Sequence, residues 1–342
     1  MASYNELSTP ELAEEHQRLL TEYNKYKDKG LRLDMSRGKP APEQLDLSMG
    51  LLEAVTAATG ALAADGTDCR NYGLPEGLPE AKRLMAGLMN VAEDQVLVGG
   101  SSSLNMMYDA ISRAITHGVP GGDKPWGKQE VVKFLCPVPG YDRHFAICQH
   151  FGIQMVPVDM TPDGPNMDQV EAYVNNDPAV KGIWCVPKYS NPQGITYSAA
   201  TVQRFSRLSP AADDFRIFWD NAYGIHDLYE GDADVLADLM AACKKTGRED
   251  LVYIFCSTSK ITFGGSGLAA MASSKRNIAD IMRSVSVQTI GYNKVNQLAH
   301  ARYFGSFENM KEHMKKHAAL LRPKFEVVLQ TWDGAGQRVF SY

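Results

Sequence analysis

Short apolar runs alternate along most of this 342-residue chain with stretches whose apolar side chains recur at helical spacing. The runs predict buried strands at 95–98, 131–135, 155–158, 182–186, 215–219 and 251–255. Helical spacing predicts helices over 6–29, 78–90, 104–115, 167–175, 196–208 and, with breaks near Gly291 and Gly305, 277–329. Residues 331–342 are typical of a turn and the start of a strand. The alternation predicts an α/β fold with a mostly parallel central sheet flanked by helices.

Polar and small residues collect directly after the predicted strands. The carboxyl ends of parallel strands meet at one edge of a sheet, and the ligands of such sheets bind at that edge. We therefore expect one site built from the segments that follow the strands, which carry Ser101–Ser103, Tyr141, His144, Asn191, Asp220, Tyr223 and Ser257–Lys260.

The last predicted strand runs into Ser257-Thr258-Ser259-Lys260 and a glycine-rich turn at 264–267. A lysine amine in this position can form a Schiff base with a carbonyl cofactor. The neighbouring hydroxyls and backbone amides can hold a phosphate. A surface lysine in a loop is the alternative, and this motif alone does not separate the two.

A second anion site is indicated by Gly99-Gly100-Ser101-Ser102-Ser103, which lies between a strand and a helix. Free amides and the positive end of the helix dipole face a ligand at such a turn. The segment is not GxGxxG, so it does not predict a dinucleotide site, and a serine-rich helix cap without a ligand is the alternative. The segment Met35–Pro40 holds two cations and a glycine, and is either an anion contact or a plain linker.

Composition narrows the class of protein. With 44% hydrophobic residues the chain can bury a sizeable core, and its length predicts one large domain and a smaller one. A net charge of −5 and the absence of a long basic run disfavour nucleic acid and anionic membranes as partners. The chain begins without a signal-peptide pattern, and no apolar run reaches the length of a membrane span. Six scattered cysteines predict reduced, mostly buried thiols of a cytoplasmic protein rather than disulfides or a metal site.

Three motifs in order carry a family resemblance: Asn-Pro-Gln-Gly at 191–194, Asp-Asn-Ala-Tyr at 220–223 and Ser-Thr-Ser-Lys at 257–260. Together they resemble the fold type I enzymes that use pyridoxal 5′-phosphate, specifically class I aminotransferases, and most closely the MocR-like aspartate aminotransferase subgroup. Tyr141 and His144 match the family's Tyr-x-x-x-His loosely, one residue closer together. The resemblance runs from about residue 30 to about residue 330, and each motif is weak without the others.

The resemblance implies roles for the residues at the centre of the site. Lys260 would hold the cofactor as a Schiff base, the internal aldimine, and once freed would carry the proton between the substrate Cα and the cofactor. Asp220 would pair with the pyridine nitrogen and keep it protonated, and His144 would orient Asp220. Asn191 and Tyr223 would hydrogen-bond the ring oxygen.

The resemblance implies further contacts around the cofactor and the substrate. Tyr141 would stack on the ring, and five serines would bind the phosphate, namely Ser101, Ser102, Ser103, Ser257 and Ser259. Tyr72 is similar to a tyrosine that reaches the phosphate from the neighbouring subunit, which implies a homodimer. Gly38, through its backbone, and Asn191 would lie near the substrate. No metal is implied.

The chain departs from the family pattern at two places. Many members carry an arginine eight residues after the lysine to pair with phosphate, and this chain has Leu268 there. Amides of the glycine-rich turn could replace that charge. The family also grips the substrate carboxylate with an arginine near the C-terminus, on the small domain. The arginines after the lysine are Arg276, Arg283, Arg302, Arg322 and Arg338, and none of them fits this role by position.

The expected domains are an N-terminal segment at 1–45 that contributes to a small domain, a large cofactor-binding domain at 46–305, and the start of a C-terminal small domain at 306–342. The family usually continues further, so the chain resembles a truncated member with an incomplete small α/β domain. We expect such a form to bind the cofactor and to turn over amino acids poorly, unless an arginine such as Arg37 or Arg143 grips the carboxylate.

The resulting functional prediction is a cytoplasmic, pyridoxal-phosphate-dependent aminotransferase that acts on aspartate or a similar dicarboxylic amino acid with 2-oxoglutarate. Two alternatives stay open. One is a cofactor-binding sensor module of the kind attached to GntR-type (MocR) repressors, although no winged-helix pattern precedes residue 30. The other is a different reaction on the same fold, such as C–S β-elimination or decarboxylation, because the cofactor itself carries that chemistry.

Overall fold

The structure is a computed structural model that describes residues 4–32 and 38–334. The chain divides into two units, one of residues 42–323 and a smaller one that takes its described residues from 1–41 and 324–341. Residues 306–323 cluster with the larger unit in this division. The domain boundaries expected at 45/46 and 305/306 stay a prediction.

The larger unit is built on a central sheet with the strand order β1-β8-β7-β6-β5-β2-β3-β4. Neighbouring strands from β7 to β3 are parallel, whereas β8 is antiparallel to both β7 and β1, and β4 is antiparallel to β3. The carboxyl ends of β1, β2, β5, β6 and β7 therefore share one edge. The strands are β1 (Val96–Val98), β2 (Lys133–Val138), β3 (Gln154–Thr161), β4 (Gly164–Pro165), β5 (Val180–Cys185), β6 (Arg216–Asp220), β7 (Val252–Ser257) and β8 (Ala269–Ala272).

Helices cover both faces of this sheet. The helices of the described chain are α1 (Thr9–Asp28), α2 (Pro42–Asp46), α3 (Pro79–Met89), α4 (Ser103–His117), α5 (Asp142–His150), α6 (Met167–Val174), α7 (Ala199–Phe205), α8 (Leu239–Lys245), α9 (Lys275–Gln288), α10 (Lys294–Phe304) and α11 (Phe307–Gly334). In the smaller unit, α1 begins after Ser8, which forms a capping box with Glu11.

The core lies in two layers because successive side chains of a strand point to opposite faces of the sheet. On β7, Ile254 packs in the layer formed with α3, α6, α7, α8 and α10, whereas Tyr253 and Phe255 pack in the layer formed with α4, α5 and α9. The central strands are buried on both faces, which explains why they read as continuous apolar runs. This burial makes the sheet a rigid support for the loops at its edge.

The structure corrects the sequence interpretation in two places. Residues 331–334, expected as part of a turn and strand, belong to α11, where the Thr331 hydroxyl donates to the Val327 carbonyl in the helical i−4 pattern. β8 was not expected, since Ala-Ala-Met-Ala lacks the branched residues typical of strands, yet it is fully buried between β1 and β7.

All six cysteines are buried and free. No helix within the described ranges combines the length and the apolar character that a membrane crossing needs.

Candidate active site

The segments after β1, β2, β5, β6 and β7 converge at the carboxyl edge of the sheet, as the sequence predicted. Each strand directs its next residues into a loop there, so residues far apart in sequence become neighbours. The register shows this between β6 and β7, where the amide of Asn221 donates to the carbonyl of Phe255 across 2.7 Å.

Asp220, the last residue of β6, is buried and forms the centre of a polar contact. Its Oδ2 lies 3.1 Å from Nε2 of His144, which comes from α5. The His144 ring stacks on Trp184 of β5 with ring centroids 4.6 Å apart, and Tyr141 meets its edge at 5.0 Å. The Asp220 carboxylate is the acceptor here, so His144 donates from Nε2. Burial, followed by the charge of Asp220, raises the pKa of Tyr141.

The other carboxylate oxygen of Asp220, Oδ1, is buried and has no hydrogen-bond partner among the described residues. A buried carboxylate oxygen without a donor is costly, and such a group usually marks a missing partner. The arrangement is therefore suited to a ligand that carries a protonated ring nitrogen or another N–H donor.

Lys260 lies on the turn that follows β7, and its side chain is exposed at the same edge. Its Nζ sits 3.7 Å from the centroid of the Tyr223 ring, which places a cation over an aromatic face. The ring of His226 meets Tyr223 edge-on at 5.5 Å. Burial lowers the pKa of His226 to about 4, and the nearby Lys260 amine adds to the effect, so this imidazole is neutral beside the lysine.

Two serine-bearing segments, one with Ser257 and Ser259 and one with Ser101, meet beside the lysine. The Ser257 hydroxyl donates to Ser259 Oγ across 3.2 Å, and Ser259 donates to the Ser101 carbonyl across 2.9 Å. A β-carbon at Gly267 would lie 2.8 Å from Ser259 Oγ and 3.0 Å from the Ser101 carbonyl oxygen. The glycine therefore keeps space open next to these groups.

The N-terminus of α4 faces this edge as well, because α4 follows the Ser101 segment directly. Ser102 is the N-cap of the helix and Ser103 its first residue, and the Ser102 side chain makes no capping hydrogen bond within the described chain. Unpaired helix amides and free hydroxyls are the groups that bind phosphate. The site thus combines an amine, a carboxylate and an anion-binding turn.

Asn191 follows β5 and is exposed at the same edge. Its loop is tied to the loop after β6 by an ion pair that the sequence analysis missed. Nζ of buried Lys188 lies 2.6 Å from Oδ1 of Asp227, and the Tyr189 hydroxyl donates to the same oxygen across 2.7 Å. A lysine directly after a strand was the available signal, and its partner 39 residues later in the chain was not predictable from spacing.

Two expected site residues, Tyr72 and Gly38, are not among the residues that the larger unit brings together at this sheet edge. Tyr72 is 83% exposed on a loop. Its expected contact with a phosphate stays a prediction. That loop is anchored by Lys294, whose Nζ donates to the Gly73 carbonyl across 2.7 Å. Gly38 belongs to the smaller unit, and its contact with a substrate stays a prediction.

The arginines considered for a substrate carboxylate are mostly engaged elsewhere. Arg276 and Arg283 on α9 each pair with an aspartate. Arg302 donates to backbone carbonyls of the segment 54–62, and Arg322 donates to a backbone carbonyl in the loop after β6 across 3.0 Å. Arg143 is exposed on α5, one residue before His144. Arg37 and Arg338 lie outside the described residues.

Leu268, at the position where an arginine was considered, is buried, and its backbone is hydrogen-bonded to Thr258 in the turn that carries Lys260. Its amide donates to the Thr258 hydroxyl across 2.9 Å, and its carbonyl accepts from the Thr258 amide across 2.8 Å. The Gly267 carbonyl accepts from Nδ2 of Asn296 at 2.9 Å. The backbone of the turn, rather than a cation, therefore occupies this position.

Comparison with known proteins yields consistent matches. The family model described as aspartate amino-transferase matches residues 7–339. A curated aspartate aminotransferase of Corynebacterium glutamicum is 45% identical over 318 residues, which are 93% of this chain and 73% of that protein. The crystal structure of an aspartate transaminase from the same species superposes with a TM-score of 0.91 at 43% identity, and covers 97% of this chain and 78% of that one. An HTH-type transcriptional regulator of Bacillus subtilis, YcxD, is 26% identical over 165 residues, 48% of this chain and 33% of the regulator.

Proposed function

The chain belongs to the aspartate aminotransferase family, and from this premise we propose that it transfers the amino group of aspartate, or of a similar dicarboxylic amino acid, to 2-oxoglutarate. It is a transaminase of the pyridoxal-phosphate fold type I. The observation that carries the proposal is the joint presence, at one sheet edge, of an exposed lysine amine and a buried aspartate oxygen without a partner.

The residues of the site fit pyridoxal 5′-phosphate. Oδ1 of Asp220 supplies an acceptor for the protonated pyridine nitrogen, and His144 holds the carboxylate through Oδ2. Ser101, Ser259 and the N-terminus of α4 supply hydroxyls and amides for the phosphate. When bound, the cofactor supplies an electron sink for the negative charge that develops at the substrate Cα.

The chain's own residues then have distinct tasks. Lys260 would be the attachment point for the cofactor, and its free Nζ would hold and move the proton at the substrate Cα. Asp220 keeps the ring nitrogen protonated, since a buried carboxylate strongly favours a nearby positive charge. Tyr223 and Asn191 would donate hydrogen bonds to the ring oxygen, and Tyr141 would cover the ring face. His144 and Trp184 support Asp220 from behind.

The remaining phosphate contacts belong to the same proposal. Ser102 and Ser103 contribute hydroxyls at the start of α4, and Ser257 contributes through its bond with Ser259. A phosphate bound by these serines and by the amides of α4 would exclude water from the site, which would strengthen each contact.

Substrate recognition is proposed around the same edge. Asn191 would bind the substrate at this edge, and a guanidinium would supply the bidentate grip that a carboxylate favours. Arg37 and Arg143 are the candidates within this chain. Changing each to lysine should raise the KM for aspartate at least tenfold for the residue that grips, and leave it unchanged for the other. The backbone of Gly38 is proposed separately as a substrate contact.

We further propose a homodimer in which Tyr72 reaches the partner's phosphate site, supported by its high exposure on an anchored loop. Mixing inactive Lys260→Ala with impaired Tyr72→Phe tests this. If each site is built from both subunits, a heterodimer has one site with both substitutions and one site with neither, so activity partly returns. Verified heterodimers without any recovery would argue against sharing.

Membership of the MocR-like subgroup is also proposed, supported by the partial match to a regulator of Bacillus subtilis. The same match keeps a sensor function as a second candidate. We propose a cytoplasmic location, since six buried free thiols suit a reducing compartment.

One experiment separates the candidate functions. Amino acids are added singly to the purified holoenzyme while the cofactor's absorbance and the released products are followed. The proposal predicts that aspartate or glutamate shifts the absorbance and releases one equivalent of its 2-oxo acid. A sensor would shift the absorbance without product, and β-elimination would release ammonia with the 2-oxo acid; either result would overturn the proposal.

A further inference from the structure

Four buried or half-buried histidines surround the backbone of the turn that carries Lys260, and we refer to them as the histidine cluster: His226, His300, His313 and His317. They come from the loop after β6, from α10 and from α11. Every one of them has Nε2 within 3.4 Å of an oxygen of residues 258–261. Half of the chain's eight histidines therefore contact one short turn.

The closest contacts converge on one carbonyl. Nε2 of His313 and Nε2 of His317 each lie 3.0 Å from the carbonyl oxygen of Ile261, the residue after the lysine. The Ser48 hydroxyl is a weaker third neighbour at 3.4 Å. A carbonyl oxygen only accepts, and it has two lone pairs, so an imidazole bonded to it donates from Nε2, while the two Nε2 atoms themselves lie 3.2 Å apart. Since His313 and His317 are four residues apart on α11, they lie on one face of the helix.

Lys260 needs such contacts because it lies on neither a helix nor a strand. Within the turn, the amides of Ile261 and Thr262 both donate to the Thr258 carbonyl at 2.8 Å, but no backbone amide of the described residues donates to the carbonyl of Lys260 or of Ile261. His226 approaches the first at 3.4 Å, and the α11 pair satisfies the second. Buried carbonyls without donors are costly, so the cluster determines whether this turn keeps its form.

The imidazoles of the cluster form these hydrogen bonds as neutral rings. Burial lowers the pKa of His313 to about 4 and lowers the pKa of His317 and of His300 as well. His300 has a fixed orientation, because its Nδ1 lies 2.9 Å from the Asn296 carbonyl and its Nε2 lies 3.0 Å from the Thr258 hydroxyl. The turn is thus held without placing further positive charge beside the lysine amine.

We propose that His313 and His317 are positioning residues that fix the backbone of the Lys260 turn, and thereby the reach of Nζ toward the reacting atoms. The inference rests on the proposed role of Lys260. A displacement of about 1 Å at a reacting group can reduce a rate by about a hundredfold. Losing both donors should therefore slow the proton transfer by about ten- to a hundredfold while the phosphate and ring contacts, which come from other residues, persist.

The test compares two double variants with one single control variant. His313→Leu/His317→Leu keeps the bulk of the side chains and removes both donors. The double glutamine variant keeps an N–H donor near the position of each Nε2. His150→Leu, on α5 and away from the turn, is the control. The first readout is hydrogen exchange of the amides of Ile261 and Thr262 in the cofactor-free protein. We expect at least tenfold faster exchange in the leucine variant, and near-normal exchange in the glutamine variant and the control.

The second readout is the half-reaction with aspartate in the holoenzyme. The leucine variant should lose rate at saturating substrate with little change in KM, and the glutamine variant should recover most of it. Unchanged exchange and rate in a folded leucine variant would overturn the proposal. If the leucine variant does not fold, asparagine replaces leucine at both positions, because its amide is too short to reach the carbonyl. Equal exchange in the asparagine and glutamine variants would then overturn the proposal.

The failure of the proposed function gives a different signature. If borohydride treatment of the wild-type holoenzyme leaves Lys260 unlabelled, the role of the lysine is wrong, whatever the exchange data show. If Lys260 is labelled and exchange is independent of the histidines, only the positioning role is wrong.

Discussion

Replacing Asp220 by asparagine should affect the cofactor-free and the cofactor-bound protein in opposite directions. Asparagine keeps an oxygen that can accept from His144 Nε2, whose present contact is 3.1 Å. It removes the negative charge and the buried oxygen, Oδ1, that has no partner among the described residues. The substitution therefore separates the aspartate's effect on stability from its effect on the cofactor.

The magnitude follows from the burial of that oxygen. An unsatisfied buried acceptor costs about 1–3 kcal/mol, and more if it is charged. The asparagine NH2 group would also lack a partner there, but it is neutral, so the cofactor-free Asp220→Asn protein should gain at most about 1–3 kcal/mol of unfolding free energy. In the holoenzyme a charge-assisted hydrogen bond to the ring nitrogen, about 1.5–3 kcal/mol, is lost, which weakens cofactor binding about ten- to a hundredfold.

Asp214 provides a matched control, since it is equally buried but fully paired. Its Oδ1 lies 2.6 Å from Nζ of buried Lys181, and its Oδ2 accepts from Trp126 and Gln129. Asp214→Asn leaves the Lys181 charge without its partner, so it should destabilise the protein by about 3–5 kcal/mol and leave the affinity of the folded protein for the cofactor unchanged.

The assay is urea denaturation of the cofactor-free proteins together with titration of each with pyridoxal 5′-phosphate. Opposite changes in stability for the two asparagine variants, with a loss of affinity only in Asp220→Asn, are expected. The reasoning is refuted if Asp220→Asn destabilises the cofactor-free protein while its cofactor affinity stays at the wild-type level.

Three further outcomes are expected. Gly267→Ala should lower cofactor affinity at least tenfold, because its β-carbon would lie 2.8 Å from a serine hydroxyl, whereas Gly265→Ala, with open space around its Cβ, should not; equal affinities in a titration would contradict this. Burial lowers the pKa of His313 from 6.5 to about 4, so between these values the unfolded chain binds a proton that the folded chain does not. The stability that this neutral imidazole contributes is present above pH 6.5 and falls by about 2 kcal/mol between pH 8 and pH 5. Denaturation of His313→Gln at both pH values should therefore show a smaller loss of unfolding free energy than the wild type. An equal loss in the two proteins would contradict the lowered pKa of His313. Tyr223→Phe keeps the ring 3.7 Å from the Lys260 amine but removes the hydroxyl, so the pH at which the bound cofactor changes colour should rise, and an unchanged spectrophotometric titration would exclude that hydrogen bond.

The sequence analysis predicted the sheet edge and most of the groups that meet there. Asp220 was predictable because it directly follows a continuous apolar run, and Lys260 because it lies in the short polar segment after another; such runs give both the strand and the direction of its end. The contact of His144 with Asp220 was expected only from the resemblance, and the structure places their atoms 3.1 Å apart.

The histidine cluster and β8 were not predictable in the same way. His313 and His317 have helical spacing, but nothing local indicates that α11 packs on the Lys260 turn, because that contact joins residues more than 50 positions apart. β8 consists of small residues whose strand conformation is imposed by its two neighbours, which is a tertiary effect rather than a propensity.

Borohydride reduction of the holoenzyme, followed by peptide mass spectrometry, locates the lysine that holds the cofactor. We expect the pyridoxyl mass on the peptide containing Lys260, and none on this peptide in Lys260→Ala. Lys188, the other lysine after a strand at this edge, is paired with Asp227 and should stay unlabelled. A label on Lys188, or a label that persists in Lys260→Ala, would contradict the account.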